Sequence, residues 1–295
     1  MQNFKFYSPE EQIHHSLFIK KRVEVFIKRD DLIHPFISGN KWRKLKYLLK
    51  EADQQNKKHL VTFGGAYSNH LLAAACAGAK FGFRTTAFVR GDRVENEILF
   101  LCRTFGMTLE FVNRERYSDK QTLFDQQFKS DSEAFFIDEG GASPEAAKGC
   151  EEIITELHQE YNHVFCACGT GTTAAGIING IQNNQSDAKF NGVPVLKGGE
   201  FLRAEINKYL HKTVSYQLHT AYHFGGYAKT QPELLTFIKE FSSATGILLD
   251  PVYTGKMMYA IFDLTANDYF KKGDKVLSVH TGGLLGILGM RNRFI

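Results

Sequence analysis

The chain has 295 residues, of which 43% are hydrophobic and 23% are charged, and its formal net charge is +4. A chain of this length and composition can bury one large core or two medium ones. The charge is small and mixed in order, which excludes a nucleic-acid surface and favours a small anionic ligand. No apolar run of about 20 residues is present that could span a membrane.

The cysteines and the first residues bear on the compartment. Five cysteines are an odd set that does not indicate a disulfide framework. Residues 1–6 lack the apolar run that a signal peptide needs. These features predict reduced thiols and a cytoplasmic protein.

The first clear elements are a strand over residues 23–29 and a helix that begins near Asn40, after an irregular start with a short piece near residues 13–18. Leu45, Leu48 and Leu49 recur at helical spacing, and Asn40 is a good cap residue. Asp30 and Asp31, in the turn between strand and helix, are expected to hold the loop through backbone amides or basic partners.

Lys41 lies at the junction of this turn and the helix. The positive end of the helix macrodipole and partial burial both disfavour its charged form. A neutral amine is a nucleophile, so Lys41 is the candidate reactive residue. By itself the segment is ambiguous, because Arg43, Lys44 and Lys46 also favour a solvated basic face.

A short strand over residues 59–63 ends at a glycine turn, and a helix rich in small residues follows over 71–79. The turn brings Ser68, Asn69 and His70 to the carboxyl end of a strand, where ligands bind in α/β sheets. Free helix-terminal N–H groups there favour an anion. The alternative is that Ser68 or Asn69 serves only as an N-cap.

Strands and helices then alternate, which predicts parallel sheets with right-handed crossovers. Further strands are expected at 85–90, 109–112, 134–138, 162–168, 214–219 and 275–280, and further helices at 95–105, 145–161, 232–245 and 257–266.

The turn after the predicted strand at 162–168 carries Gly169, Thr170, Gly171, Thr172 and Thr173, and it opens a helix of small residues. Backbone N–H groups and hydroxyls at a helix N-terminus can hold a phosphate. The turn lacks the P-loop lysine and meets the dinucleotide spacing only loosely, so a single phosphate is favoured over a nucleotide. A tight turn that needs glycine for packing alone remains the alternative.

Two pairs of residues have a spacing compatible with metal ligation. They are Cys166 with Cys168, and His219 with His223. Neither pair has further ligands in view, so buried thiols and solvated or hydrogen-bonded histidines are the better prediction.

A nucleophilic amine and a cradle for one phosphate fit pyridoxal 5′-phosphate, whose aldehyde would meet Lys41 and whose phosphate would meet residues 169–173. At this point a resemblance is plain. Five motifs occur in order: 38–45, 64–70, 169–176, 250–256 and 280–283. Together they resemble the pyridoxal-phosphate family of D-cysteine desulfhydrases and 1-aminocyclopropane-1-carboxylate (ACC) deaminases.

The resemblance implies the tryptophan-synthase-β-like fold, fold type II, with two open parallel-sheet α/β domains and the active site between them. Residues 1–43 with 145–295 would form the large cofactor-binding domain, and 44–144 the small inserted one. A homodimer is also implied.

The resemblance further implies roles for individual residues. Lys41 would be the Schiff-base lysine, Asn69 would bond the phenolic oxygen of the cofactor, and Ser68 would lie by the substrate carboxylate. Residues 169–173 would hold the phosphate. The two active-site tyrosines would be Tyr227 and Tyr253.

One position helps to choose between the two activities. The deaminase branch has a glutamate after the tyrosine of the fourth motif, where this chain has Thr254. A hydroxyl, from Thr254 or from Thr281, can donate to a neutral ring nitrogen but cannot stabilise a protonated one as a carboxylate does. The weaker electron sink still suffices for a thiolate leaving group.

The predicted reaction is therefore α,β-elimination of D-cysteine, or a related D-amino acid, to pyruvate, ammonia and sulfide. Lys41 would act as general base, with Tyr227 or Tyr253 as proton donor. ACC deaminase, giving 2-oxobutanoate and ammonia, is the alternative, together with other D-amino-acid lyases. A catalytically silent metabolite-binding relative and a nucleotide-dependent dehydrogenase are further alternatives, and the dehydrogenase leaves Lys41 unexplained.

Overall fold

A computed structural model describes residues 4–294 of the chain. The strands in this part are β1 (Glu10–Ile13), β2 (Glu24–Lys28), β3 (His59–Gly65), β4 (Arg84–Arg90), β5 (Thr108–Val112), β6 (Ala134–Ile137), β7 (His163–Cys168), β8 (Lys189–Pro194), β9 (Gln217–Leu218) and β10 (Lys275–Val279). The helices are α1 (Ser16–Lys21), α2 (Asn40–Gln54), α3 (Asn69–Phe81), α4 (Glu97–Thr104), α5 (Arg114–Tyr117), α6 (Lys120–Phe128), α7 (Pro144–Thr155), α8 (Thr172–Asn183), α9 (Leu202–Asn207), α10 (Pro232–Thr245) and α11 (Thr254–Ala266).

The strands form two sheets. The larger has the order β1-β2-β10-β7-β8-β9, and the smaller has the order β5-β4-β3-β6. All neighbours are parallel except β1, which is an antiparallel edge strand on β2. The predicted alternation of strands and helices and the two parallel-sheet units are confirmed. None of the helices described in residues 4–294 is long and apolar enough to cross a membrane.

Helix α2 begins at Asn40, as the sequence predicts, but Asn40 is not its cap. The N-cap position is held by Gly39, whose φ of 61° lies in the left-handed region, and no side chain caps the helix. A Cβ on Gly39 would lie only 1.9 Å from the carbonyl oxygen of Thr281. The start of α2 therefore packs directly on the backbone that follows β10.

Close packing also joins α2 to α7 and α8. A Cβ on Gly149 of α7 would lie 2.0 Å from the Arg43 carbonyl oxygen of α2, so only glycine permits this approach. Helix α7 in turn has extensive contacts with α8. The starts of α2 and α8 are consequently held at one end of the larger sheet.

Several predicted elements have different bounds in the structure, most clearly α7 and β9. Helix α7 ends at Thr155 rather than 161, because the chain beyond it turns so that Tyr161 Oη donates to Glu10 at 2.6 Å. Strand β9 has only two residues, since His219 turns to a hydrogen bond with Asn191 at 3.0 Å. The irregular start contains β1 and α1.

The basic segment of α2 is not a solvated face. Arg43 is fully buried and donates to Asp30 at 2.8 Å and to Glu156 at 2.7 Å. Lys44 is also buried, and only Lys46 lies near the surface, with Glu152 2.7 Å away. Asp30 holds the loop before α2 through this basic partner, which confirms the expectation for the carboxylate pair, since Asp31 likewise pairs with an arginine.

We expect Arg43→Met to lower the free energy of unfolding by about 3–5 kcal/mol, because it leaves the buried Asp30 carboxylate without its cation. Chemical denaturation of the variant measures this loss. The control is Arg84→Met, which removes an exposed arginine 2.8 Å from Glu133 and should cost at most about 1 kcal/mol. Equal losses in the two variants would contradict the structural role given to Arg43.

Candidate active site

A cavity of about 610 Å³ opens where β3 and β4 of the smaller sheet and β7 and β10 of the larger sheet end. The predicted residues in its lining are Lys41, Ser68, Asn69, Gly169, Thr170, Gly171, Thr173, Tyr227, Tyr253 and Thr281. Thr172 and Thr254 are not in this lining. A larger open groove of about 1310 Å³, around His163 and Lys275 at the other end of the larger sheet, contains none of the predicted residues.

Lys41 is the second residue of α2, and its Nζ lies 3.0 Å from Asn40 Oδ1. The side-chain nitrogen of Asn40, Nδ2, donates to Thr173 Oγ1 at 2.9 Å, so Asn40 connects Lys41 to the turn before α8. Burial, and then the charge of Lys44, lower the pKa of Lys41 to about 7. A large share of this amine is therefore neutral near physiological pH.

The turn at residues 169–173, here called the anion cradle, contains no acidic side chain. Gly171 precedes α8, and the first N–H groups of that helix have no acceptor within it. Lys44 lines the same cavity, and its Nζ donates to the Gly140 carbonyl at 3.0 Å. Helix N-terminus and ammonium together suit a phosphate dianion.

The turn after β3 supplies polar groups from the smaller sheet. Ser68 is the N-cap of α3, and its Oγ accepts from the Leu71 N–H at 3.4 Å. Asn69 lines the cavity beside it. Ser68 thus does cap its helix, and it does so at the cavity wall.

His70 contributes a buried acceptor to this wall. Thr62 Oγ1 donates to the Ile137 carbonyl at 3.0 Å, so it accepts from His70 Nε2 at 2.8 Å. That assignment leaves Nδ1 as an acceptor, and Nδ1 has no partner among the described residues. Burial, with the charges of Lys41 and Lys44, lowers the pKa of His70 to about 3, so the ring is neutral.

The two predicted tyrosines lie together. Their rings are 6.1 Å apart in an edge-to-face arrangement, and Tyr253 lies against Gly169 of the anion cradle. Burial, and next the neighbouring Tyr227, raise the pKa of Tyr253 well above its usual value. Tyr253 therefore keeps its proton at neutral pH, while Tyr227 is half-exposed at the mouth.

The two threonines proposed for the ring nitrogen differ in position. Thr281 follows β10 and lines the cavity. Thr254 is fully buried, and its hydroxyl donates to Asp250 Oδ1 at 2.8 Å and accepts from the Asp250 N–H at 2.9 Å. The structure brings Thr281, but not Thr254, to the cavity.

Lys256 does not line the cavity, but it holds the loop that carries Tyr227 in place. Its fully buried ammonium donates to the carbonyls of His223 and Gly226 at 2.8 Å and of Val195 at 3.3 Å. Tyr227 and Leu196, the next residues along two of these segments, line the cavity. Lys256 belongs to a predicted motif, but its role as an anchor depends on carbonyls far away in the sequence.

The possible metal pairs have other contacts. All five cysteines are buried and free, and His219 Nε2 lies 3.0 Å from Asn191 Oδ1. His223 accepts from the Gly225 N–H at 2.9 Å. In residues 4–294 no group of three or more candidate ligands is placed to hold a metal ion.

Sequence reasoning missed three cationic residues of the lining: Lys44, Arg90 and Arg293. Lys44 was assigned to the basic face, although it lies three residues after Lys41 and so shares its side of the helix. No sequence pattern singled out Arg90 or Arg293, because each reaches the cavity from the end of a different chain segment.

These residues fit pyridoxal phosphate. A lysine with a lowered pKa suits the aldehyde, the anion cradle with Lys44 suits the phosphate, and the unpartnered His70 Nδ1 indicates that the cavity awaits a polar ligand. An amine and an anion cradle between two parallel sheets define a pyridoxal-phosphate enzyme of fold type II. The model of the family described as pyridoxal-phosphate dependent enzyme matches residues 12–282, and the chain belongs to that family.

Two curated relatives and one solved structure are similar over most of their length. The bifunctional D-cysteine desulfhydrase/1-aminocyclopropane-1-carboxylate deaminase of Arabidopsis thaliana is 30% identical, over 90% of this chain and 73% of that protein. The D-cysteine desulfhydrase of Salmonella newport is 29% identical, over 88% of this chain and 87% of that protein. The crystal structure of an ACC deaminase homologue has a TM-score of 0.89 at 27% identity, over 99% of this chain and 94% of that one. The chain is thus a pyridoxal-phosphate-dependent lyase.

We expect Lys41 in the cofactor-free protein to react with an amine-specific label far faster at neutral pH than an exposed lysine does. Its neutral form should be half populated near pH 7 and rise as the pH increases. Labelling at a series of pH values, followed by mass spectrometry of the Lys41 peptide, measures this midpoint. Lys44→Met removes a neighbouring positive charge and should move the midpoint upward. A midpoint near 10 in the unmodified chain would refute the lowered pKa.

A second prediction concerns the Lys256 anchor. Lys256→Met leaves three buried carbonyls without their donor, so it should loosen the loop that carries Tyr227 and lower kcat/KM about tenfold or more. Visible absorbance of bound cofactor should persist, because Lys41 and the anion cradle are unchanged. The control is Lys239→Met on the neighbouring α10, where the lysine is exposed. Unaltered kinetics in the Lys256 variant would remove this positioning role.

Proposed function

We propose that this lyase catalyses α,β-elimination of D-cysteine, or of a related D-amino acid, to pyruvate, ammonia and sulfide. The observation that carries the proposal is the engagement of the Asp250 carboxylate. It accepts from the N–H groups of Val252 and Tyr253 at 2.8 Å and of Thr254 at 2.9 Å, and from the Thr254 hydroxyl at 2.8 Å. A carboxylate satisfied in this way holds the start of α11 and is not available to a ring nitrogen.

The other acidic residue of the lining, Glu139, lies 3.7 Å from Arg90. Of the two threonines considered for the ring nitrogen, only Thr281 lines the cavity, and it would supply the hydroxyl partner. A hydroxyl favours a neutral nitrogen and a weaker electron sink, which supports elimination of a good leaving group over opening of a cyclopropane ring.

The proposed division of roles follows from the protonation states. Lys41, with a pKa of about 7, can take the α-proton, and Tyr253 retains a proton for the departing sulfur. Ser68 and the first N–H groups of α3 would orient the substrate carboxylate, with Asn69 beside them. When bound, pyridoxal phosphate supplies the conjugated electron sink for the charge that develops at the α-carbon.

The phosphate would be held by Lys44 and by the anion cradle, through Gly169, Thr170, Gly171, Thr172 and Thr173. Thr172 would act through its backbone N–H, because its side chain is buried and lies 3.4 Å from the Thr170 hydroxyl. The proposed phosphate contacts would come from the turn after β7 and from α2, and the proposed substrate carboxylate contacts from the turn after β3.

The domain boundaries, the homodimer and the cytoplasmic location are also proposals. A small domain of residues 44–144 is supported by the sheets, because β3, β4, β5 and β6 all fall within it. Five free, buried thiols support a reducing compartment. The homodimer rests on the family resemblance.

ACC deaminase activity is the second candidate, favoured by the bifunctional name of the Arabidopsis thaliana relative. A catalytically silent relative would bind a metabolite without turnover. The two candidates and this alternative are separated by one substrate panel.

We expect the purified protein with added cofactor to absorb visible light and to release pyruvate from D-cysteine faster than it releases 2-oxobutanoate from ACC. Lys41→Ala should lose both the absorbance of the lysine-bound cofactor and turnover, by a factor of about 10³ or more. Lys239→Met, an exposed lysine elsewhere, serves as the control. Faster 2-oxobutanoate release would favour the deaminase, and a protein that gains no absorbance would favour the silent relative.

A further inference from the structure

Arg90 lies beside the part of the cavity assigned to the substrate. It is the last residue of β4 and is paired in register with Gly65, the last residue of β3, from which the chain turns to Ser68. A Cβ on Gly65 would lie 3.7 Å from Arg90 Nη2. The guanidinium therefore extends over the start of the turn that would orient the substrate carboxylate.

The Arg90 guanidinium has an aromatic and an acidic neighbour, but these do not use its hydrogen-bond donors. Its carbon lies 5.2 Å from the centre of the Tyr117 ring, and Nη1 is 3.7 Å from Glu139 Oε1, which is beyond hydrogen-bonding distance. Among residues 4–294 no hydrogen bond is found for the Arg90 side chain, whereas the Arg43 guanidinium is hydrogen bonded to Asp30 and Glu156. Five donors in a fixed fork are thus available to a ligand.

Arg293 lies in the lining of the same cavity, on the segment that follows β10. Its Nη1 donates to the Ala228 carbonyl at 2.9 Å and to Thr230 Oγ1 at 3.1 Å. Both acceptors are neutral. The mouth therefore carries a second positive charge in addition to Arg90, which has Glu139 at 3.7 Å.

The charges of Arg90 and Arg293 have no role in the proposed binding of the phosphate and of the α-carboxylate. Lys44 and the anion cradle would hold the phosphate, and the start of α3 would hold the α-carboxylate. The acidic residues of the lining are Glu139, which faces one of the arginines without a hydrogen bond, and Asp250, whose oxygens accept four hydrogen bonds from the start of α11. The cavity of about 610 Å³ also has room for a side chain beyond the α-carbon.

We propose that the preferred substrate of this lyase is an amino acid whose side chain carries its own negative charge, and that Arg90 binds this charge. The inference rests on the proposed function and narrows its substrate class. A carboxylate, sulfo or phospho group would each match the planar fork of the guanidinium, and Arg293 supplies a second positive charge in the same lining.

The first test compares the binding of two amino acids of equal size, aspartate and asparagine, in both D and L forms, to the holoenzyme by titration calorimetry. We expect aspartate of the accepted configuration to bind about tenfold or more tightly than asparagine, because it gains a charge-assisted pair with Arg90. Arg90→Met should abolish this ratio, and Arg90→Lys should retain part of it. Arg84→Met, at the other end of β4 and outside the cavity lining, should leave it unchanged.

Three results would overturn the inference: equal binding of the two amino acids, binding of neither, or a ratio that survives Arg90→Met. If the ratio survives because both ligands bind equally less well in that variant, Arg90 binds the α-carboxylate instead.

Turnover separates this inference from the proposed function. Serine loses its α-proton and hydroxide and then takes up one water to give pyruvate and ammonia, whereas O-phosphoserine loses its α-proton and phosphate and takes up one water to give pyruvate, ammonia and phosphate. We expect kcat/KM for O-phosphoserine to exceed that for serine, and Arg90→Met to reverse this order. Pyruvate from D-cysteine, without any preference for O-phosphoserine or aspartate, overturns only the inference. Absence of pyruvate from every substrate overturns the proposed function.

Discussion

The structure depends on how closely the start of α2 approaches the backbone after β10. Gly39 lies against Thr281, so that no side chain larger than hydrogen fits between them, and Asn40 donates to Thr173 before α8. These two contacts join segments that are more than 100 residues apart in the chain. They bring the lysine at position 41, the anion cradle and the end of β10 to one cavity.

The buried cations of α2 and α11 differ in how well their charges are satisfied, and this difference separates structural from functional residues. Arg43 is surrounded by carboxylates, and Lys256 by backbone carbonyls, so both serve as anchors. Lys41 is partly buried, with an amide oxygen as its hydrogen-bond partner and a second lysine nearby, and its pKa is lowered to about 7. Reactive groups with shifted pKa values are favoured at positions where the fold provides no opposite charge next to a buried ionisable group.

The same reasoning applies to the acidic residues of the cavity. The Asp250 carboxylate accepts hydrogen bonds from the N–H groups at the start of α11 and from the Thr254 hydroxyl. It lines the site, but its oxygens are already hydrogen bonded within the protein. Glu139 lies near Arg90 but does not hydrogen bond to it. Hence the cavity has an excess of positive charge, consistent with a phosphate, a carboxylate and a further anionic group as its occupants.

The sequence by itself determined the elements that local patterns specify. Helical spacing fixed the start of α2 at Asn40, and glycine turns after β3 and β7 located the two loops that line the cavity. Only the tertiary structure decided the end of α7, the burial of Arg43 and Lys44, the role of Asn40 in the site rather than at the cap, and the engagement of Thr254 by Asp250. The physical reason is that periodicity and turn chemistry act over a few residues, whereas burial and most of these hydrogen bonds depend on partners that folding brings from distant parts of the chain.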